Sequence, residues 1–249
     1  MFEPRLALAS LSGEADADWA RAAADHAGCA FLGGIALDDA TRAAAREMVT
    51  GRDRSEFLPE DPVAFVDAQL AALADAPLRP AFNVRSATLG PLERAATVCE
   101  RHDAIIEVNA HCRQAEMCAA GAGESLLRHP DRLAEQVRTA ADTGADVSVK
   151  VRAELDGVDL SAVARRIEDA GAAVIHVDAM DSEAVVGAVA DATDCLVVAN
   201  NGVRDRQTAT EYFEYGADAV SVGRPSDDPT ILRTVRTAAD EWFGREVAQ

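Results

Sequence analysis

The feature that most constrains this chain is an alternation of short apolar runs, rich in β-branched residues, with longer alanine-rich segments of helical period. The order strand, helix, strand repeats along the whole chain, which is typical of βα units and a parallel sheet. Strands are predicted at residues 5–9, 29–32, 80–84, 105–109, 146–151, 173–178, 195–200 and 217–222. Eight such units predict an α/β protein whose strands close into a (β/α)8 TIM barrel, rather than a doubly wound sheet.

The segments between the strands predict helices at residues 16–26, 39–50, 62–74, 89–101, 130–143, 160–170, 182–191, 205–215 and 228–243. An aspartate is placed to cap four of these helices, namely Asp38, Asp61, Asp181 and Asp228. No linker or change of composition divides the chain, and one helix follows the last strand. We therefore expect residues 1–249 to form a single barrel domain, since about 250 residues is the usual size of one.

The charge balance is strongly acidic, with 43 Asp and Glu against 24 Lys and Arg, a formal net charge of −19. Two interpretations are open. An acidic, arginine-biased protein can be ordinary, or it can work in molar salt, where the Debye length falls to roughly 3 Å and self-repulsion is small. The second, halophilic interpretation is favoured because no single segment carries the charge. Either way, the basic footprint of a typical nucleic-acid-binding protein is absent.

Targeting signals and membrane spans are not evident in the sequence. No positively charged leader precedes an apolar stretch, and no apolar run reaches the 18 or so residues that cross a bilayer. We therefore expect a soluble, cytoplasmic protein. The five cysteines are odd in number and lack a CxxC pair, so reduced thiols are expected instead of a disulfide framework.

The polar residues that end the predicted strands are the first candidates for function, because TIM barrels carry their active sites at the C-terminal ends of the strands. They are Asn83, Arg85, Asn109, His111, Cys112, Lys150, Arg152, His176, Asp178, Asn200, Asn201, Gly223 and Arg224.

Lys150 is the most informative of these residues, because it is the only lysine in the chain and lies within the apolar strand Val-Ser-Val-Lys-Val. The functional interpretation is a compact cation held against a cofactor phosphate, a ring carbonyl or a developing anion. The alternative is a lysine that reaches the surface and pairs with a carboxylate. The functional interpretation is favoured, since arginine neutralises surface charge everywhere else in the chain.

The loops after the seventh and eighth strands predict a phosphate site. Barrels of this class commonly bind phosphate there, and Gly202 and the pair Gly223-Arg224 provide backbone amides and a guanidinium. A glycine-arginine pair is also common where a helix begins, so the position in the barrel carries more weight than the residue types.

Cys112 follows the fourth strand, in a loop with two glycines, and we expect its thiol to be exposed at the barrel mouth. It is a candidate nucleophile or general acid whose pKa His111 or Arg113 would tune. The alternatives are a small buried side chain and, less favoured, a metal site with His111 and Cys118, which lacks a fourth ligand. His176 is either a ligand contact or a satisfied polar residue beneath the loops.

An ordered set of motifs from the fourth strand to the eighth resembles the tRNA-dihydrouridine synthases, and in particular a shorter archaeal branch of barrel proteins related to them. Asn109-x-x-Cys112 resembles their Asn-x-Gly-Cys-Pro, and residues 121–130 resemble their glycine-rich stretch ending in Leu-Leu-x-x-Pro. The segments at 149–152, 198–200 and 222–224 and the single residue His176 follow in matching order.

The resemblance implies FMN, with its phosphate near Asn200, Asn201, Gly223 and Arg224. The ring would lie near Lys150 and His176, with Asn109 and Asn83 also at the cofactor; Asn83 stands where the family usually has a glutamine. It further implies that reduced flavin passes a hydride from N5 to C6 of a uracil ring while Cys112 protonates C5, with NADPH restoring the flavin. His111 and Arg113 replace the family's glycine and proline.

The substrate is left open between tRNA and a free pyrimidine. The synthases grip tRNA with a C-terminal helical domain, for which this sequence has no counterpart, so a partner protein or a compact binding mode is expected to supply that grip. An oxidoreductase of a small free pyrimidine, similar to the dihydroorotate and dihydropyrimidine dehydrogenases, is the second hypothesis. A non-catalytic barrel that binds a phosphorylated ligand is the third.

Overall fold

A computed structural model describes residues 2–246, with side chains to residue 244, and confirms the predicted barrel. Eight parallel strands pair in sequence order, and the eighth pairs with the first to close the sheet. The strands are β1 (Leu6–Leu8), β2 (Cys29–Ala36), β3 (Arg79–Arg85), β4 (Ile105–Asn109), β5 (Val147–Arg152), β6 (Val174–Asp178), β7 (Leu196–Asn200) and β8 (Ala219–Val222). All eight predicted strands are present, and β4 has the predicted bounds.

Helices surround the sheet on its outer face. They are α1 (Ala17–Ala22), α2 (Asp39–Val49), α3 (Pro62–Ala71), α4 (Leu89–Arg101), α5 (Ala115–Ala119), α6 (Pro130–Ala141), α7 (Leu160–Glu168), α8 (Val185–Ala190), α9 (Arg206–Glu214) and α10 (Pro229–Glu246). Two 3₁₀ turns, Gly123–Arg128 and Arg224–Asp227, follow β4 and β8. The short helix α5 and both turns were not predicted, because each is too brief to show a helical period.

The predicted aspartate caps are confirmed at three of four positions. Asp38 and Asp61 accept hydrogen bonds from the first-turn amides of α2 and α3, and Asp228 accepts one from Thr230 N at 2.7 Å. The prediction that Asp181 caps a helix was wrong, because α8 begins three residues later than predicted, after Ala184. The chain before α8 is held instead by Glu154, which accepts from Ser182 Oγ at 2.8 Å.

Strand β2 extends four residues beyond its predicted end at Leu32. Gly33 and Gly34 indicate a turn by composition, but here they form an irregularity within the strand, where pairing with β3 slips between Gly33 and Ile35. Gly33 has a φ of 92°, which only glycine adopts readily. A Cβ on Gly34 would lie 2.4 Å from Asn83 Oδ1, so the pair also lets β3 side chains pack close to β2.

Two separate regions of core position the site. The larger lies between the sheet and the helices and is built mostly from alanine, valine and leucine. The smaller fills the N-terminal half of the barrel interior with apolar side chains that include Phe31, Ile105, Val174 and Val198. Above it, towards the C-terminal ends of the strands, the interior becomes polar. Within residues 2–246, no helix is both long and apolar enough to cross a membrane.

Candidate active site

A cavity of about 1090 Å³ opens at the C-terminal ends of the strands. Its walls are the loops after β1, β4, β7 and β8 and the segment between α2 and α3, and the side chain of Lys150 reaches it from β5. Seven of the candidates singled out in the sequence line it: His111, Lys150, Asn200, Asn201, Gly202, Gly223 and Arg224. The volume lies just above the range of about 300–1,000 Å³ that ligand pockets usually occupy.

The wall formed by the loops after β7 and β8 is suited to an anion. The amides of Gly202 and Val203, and those of Gly223 and Arg224, have no acceptor among the described residues. Two exposed guanidiniums, those of Arg204 and Arg224, line the same wall and form no ion pair with any described carboxylate. Unpaired amides beside cations are the donors that bind phosphate in proteins.

The backbone of this wall is held in an unusual conformation at Asn201. Its φ of 95° lies outside the regions that non-glycine residues favour, which costs about 1–3 kcal/mol. Two hydrogen bonds hold it there: Asn201 Nδ2 donates to the Met180 carbonyl at 2.8 Å, and the Tyr212 hydroxyl donates to the Asn201 carbonyl at 2.9 Å. The strained turn leaves the next two amides unpaired at the cavity.

Lys150 lies on the barrel interior and is only 3% exposed. Its ammonium has no hydrogen bond or ion pair with any described residue, yet the residue lines the cavity. Burial lowers the pKa of Lys150, and the charges of Glu107 and Asp178 oppose that effect in part. A lysine so placed is an unpaired donor available to an acceptor in the cavity, as its strand position predicted.

Glu107 is a buried carboxylate that the sequence reasoning missed. It is fully buried in the middle of β4, where an unpaired carboxylate would cost several kcal/mol. Three donors reach it: Asn83 Nδ2 at 2.7 Å, Ser148 Oγ at 3.0 Å and His176 Nδ1 at 2.8 Å. A charged residue inside the apolar run Ile-Ile-Glu-Val was the same signal that singled out Lys150, and it was overlooked.

The even-numbered strands contribute one layer of four contacting side chains to the barrel interior. His176 lies at its centre: Nδ1 bonds Glu107, Nε2 lies 2.8 Å from Ser221 Oγ, and the Phe31 ring centroid is 4.8 Å away. Burial lowers the pKa of His176, so the ring is neutral at pH 7. Because an ionised Glu107 only accepts, Nδ1 carries the hydrogen and Nε2 accepts from Ser221.

The model of one protein family matches this chain over most of the barrel. The model for dihydrouridine synthase (Dus) covers residues 84–248, which is 165 of the 249 residues. The chain belongs to the dihydrouridine synthase family. The resemblance of the motifs at residues 109–224 is thereby confirmed, and membership indicates a flavin-dependent oxidoreductase.

Individual relatives of this family member are distant. An uncharacterized protein of Methanocaldococcus jannaschii, MJ0144, is 25% identical over 97% of this chain and 93% of its own length. Among solved structures, FabK from Thermotoga maritima has a TM-score of 0.60 at 15% identity, over 89% of this chain and 58% of that one. The 3-hexulose-6-phosphate synthase of Salmonella typhimurium has a TM-score of 0.59 at 15% identity, over 95% and 98%. The solved structures show the shared fold alone.

Four of the residues that the resemblance to the dihydrouridine synthases places at the site do not line the cavity. Asn83, Asn109 and His176 lie beneath it and are hydrogen-bonded to one another or to Glu107. Cys112 was expected to be exposed at the mouth, and that expectation was wrong. Its side chain is 8% exposed and packs in an apolar cluster with Met48 and Met117, because the Asn109 carboxamide oxygen accepts from Cys112 N at 2.9 Å and fixes the turn.

His111, beside this cysteine, does line the cavity. Its Nε2 lies 2.8 Å from Asp178 Oδ2, while Nδ1 has no partner in the described structure. Burial lowers the pKa of His111, and Asp178 opposes that shift. The described residues hold no cluster of three His, Cys, Asp or Glu side chains placed to bind a metal, so His111, Cys112 and Cys118 do not form one.

Residues 52–55, which sequence reasoning did not single out, form another part of the cavity rim. This segment is tied down by Glu56, which accepts from Arg54 Nη2 at 2.8 Å and from Arg85 Nη1 at 2.7 Å. Arg85 is 1% exposed, so the pair is buried. Removing one member of a buried pair typically costs about 3–5 kcal/mol, which indicates that this rim has a fixed position.

Proposed function

We propose that this chain is an FMN-dependent oxidoreductase that reduces the C5–C6 bond of a uracil ring, with NADPH as the source of electrons. The observation that carries the proposal is the buried, unpartnered ammonium of Lys150 at the cavity of a dihydrouridine synthase family member. A lysine without a protein partner in such a place is most simply explained by an acceptor on a bound molecule.

The donors of the cavity fit FMN. The unpaired amides of Gly202 and Gly223, with Arg204 and Arg224, would hold the phosphate, and Asn200 and Asn201 lie on the same wall. Lys150 would meet the electron-rich edge of the ring system. When bound, FMN supplies hydride-transfer chemistry. Asn83, Asn109 and His176, predicted as direct contacts, are proposed here as buried supporting residues beneath the cavity, held through Glu107 and one another.

The reaction also requires a proton at the second carbon, and two side chains after β4 are candidates to supply it. Cys112 is the acid that the family resemblance implies, and it could serve only if the loop after β4 turned its thiol out of the apolar cluster. His111 needs no such movement, because it already lines the cavity and is held by Asp178. We therefore propose His111 as the proton donor and retain Cys112 as the alternative.

The substrate proposal has two forms. A uridine in tRNA follows from the family, and a partner protein would then supply the grip on RNA. A free small pyrimidine is favoured by the net charge of −19, since a polyanion is repelled by this surface while the positive groups Lys150, Arg204 and Arg224 line the cavity.

An absorption spectrum of the purified protein in molar salt, before and after adding FMN, tests the cofactor. Flavin bands that survive desalting support the proposal, and a colourless protein that cannot be reconstituted favours a non-catalytic barrel for a phosphorylated ligand. Dihydrouridine missing from tRNA after deletion of the gene supports the tRNA form. Unaltered dihydrouridine, with turnover of free uracil or dihydroorotate, supports the small-molecule form.

A further inference from the structure

Barrels of this class fill their interior with branched apolar side chains, and here one interior layer holds a carboxylate instead. Glu107 and His176 are both fully buried, and Ser221, which completes the chain of hydrogen bonds, lines the cavity. The proposed reaction uses neither Glu107 nor Ser148 beside it. A group that is costly to bury and takes no part in the chemistry calls for another role.

The donors to Glu107 fix it from three other strands, two of them the neighbours of β4. Asn83 comes from β3, Ser148 from β5 and His176 from β6, and each reaches a carboxylate oxygen within 3.0 Å. In the strand register Glu107 pairs with Ser148, two residues before Lys150, while Lys150 pairs with Asn109 and His176. The carboxylate therefore lies one step below the lysine inside the barrel, and it does not touch it.

Four titratable groups face Lys150 from the elements packed around it. They are Glu107 on β4, His111 in the loop after β4, and His176 and Asp178 on β6. Two of the four are carboxylates. Asp178 lies 2.8 Å from His111 Nε2 and its side chain is 11% exposed, whereas Glu107 is fully buried. Among the described groups that interact with Glu107, Lys150 is the one that stays cationic once His111 and His176 are neutral.

We propose that Glu107 is a positioning residue that acts through Lys150: it is the buried counter-charge that keeps the ammonium of Lys150 protonated at the cavity. The same carboxylate fixes the Nδ1-protonated form of His176 and so directs the Ser221 hydroxyl inwards. The proposal concerns the protein's own charges and does not depend on which cofactor or substrate the cavity takes.

The single lysine makes a direct measurement available. Protein labelled with ¹³C at lysine Cε, made without a lysine-containing tag, gives one lysine signal whose shift reports the charge of Lys150. A deeply buried lysine without a counter-charge titrates at about pH 5–6. In the wild type we expect Lys150 to be charged at pH 7, and in Glu107→Gln we expect its titration midpoint to fall by about one pH unit or more.

Two variants serve as matched controls. Ser148→Ala removes one donor to Glu107 but keeps the carboxylate, so the lysine midpoint should stay near that of the wild type. Asp178→Asn removes the other carboxylate and should shift it less than Glu107→Gln does. All measurements are made on the protein without added flavin, so failure of the FMN proposal does not affect them.

Two results overturn the proposal. One is an unchanged titration midpoint of Lys150 in Glu107→Gln, and the other is a larger fall of that midpoint in Asp178→Asn than in Glu107→Gln. If Glu107→Gln does not fold, the lysine signal of the wild-type protein is the test. A Lys150 that is neutral at pH 7 overturns the proposal, and a Lys150 that is charged despite its burial supports it.

Discussion

His111 Nε2 lies 2.8 Å from Asp178 Oδ2; the histidine comes from the loop after β4 and lines the cavity, and the aspartate is the buried last residue of β6. A carboxylate on one nitrogen of an imidazole fixes its orientation and stabilises its protonated form. Cys112, the neighbouring residue, packs away from the cavity.

This geometry predicts the effects of two substitutions on proton transfer. His111→Gln should slow reoxidation of the reduced enzyme by substrate by about 10²–10⁴-fold, the usual contribution of a general acid, while Cys112→Ala should slow it far less. Stopped-flow measurement of flavin reoxidation compares them. If Cys112→Ala slowed reoxidation more than His111→Gln, Cys112 would be the proton donor, and the loop after β4 would have to turn its thiol into the cavity.

The same pair predicts a pH dependence. An imidazolium donor is active below its pKa, which burial holds below the ordinary value for histidine. The rate should therefore fall as the pH rises through that pKa, and Asp178→Asn, which removes the opposing charge, should move the fall to lower pH. The pH profile of reoxidation checks this, and a fall at higher pH in the variant would contradict it.

Substitution of Lys150 should affect both stability and ligand binding. Lys150→Met leaves the buried carboxylate of Glu107 without its counter-charge, so we expect the free energy of unfolding to fall by about 1 kcal/mol or more. Affinity for FMN should fall at least tenfold, since a hydrogen bond to a charged group contributes about 1.5–3 kcal/mol. Urea unfolding and flavin titration measure the two quantities. A variant that is less stable and binds FMN normally would show that Lys150 is structural.

Arg224 should contribute to FMN binding only through the phosphate group. Arg224→Ala is expected to weaken FMN about tenfold and to leave riboflavin, which lacks the phosphate, unaffected. Arg113→Ala is the control, because Arg113 is an exposed arginine that does not line the cavity. Equal losses for FMN and riboflavin would place the phosphate elsewhere.

Gly123 should be needed for the loop that carries His111 and Cys112. A Cβ there would lie 2.2 Å from the Cys112 carbonyl oxygen, and its φ is 64°. Gly157 has a similar φ of 76° and open space around it. Gly123→Ala should therefore cost about 2 kcal/mol more than Gly157→Ala, because only the first adds a backbone clash to the strain. Thermal unfolding of both variants measures the difference.

How far the sequence could predict this structure differs between fold and site. The barrel was predictable because each strand is a short apolar run between helical segments. The cavity residues on β5, β7 and β8 were predictable because polar residues at strand ends share one end of a barrel. Glu107 was not predicted because it lies in the middle of β4, and only polar residues at strand ends were taken as candidates.

The orientation of the Cys112 side chain could not be predicted from the sequence. Whether a loop side chain faces a cavity or a core depends on turn geometry, here the hydrogen bonds from His111 N and Cys112 N to the Asn109 side chain. Strand β2 was predicted too short for a similar reason, since only the neighbouring strand shows whether two glycines end a strand or bend it. Salt adaptation, cytoplasmic location and the electron donor remain predictions.

The apolar side chains of Phe31, Ile105, Val174 and Val198 close the barrel at the end opposite the cavity. Within the described structure, a molecule that reaches Lys150 must therefore enter and leave through the mouth of the cavity. If an electron donor and an electron acceptor both use it, they have to take turns, with the first product leaving before the second reactant enters. Steady-state kinetics should then show parallel reciprocal plots, the pattern of a substituted-enzyme cycle.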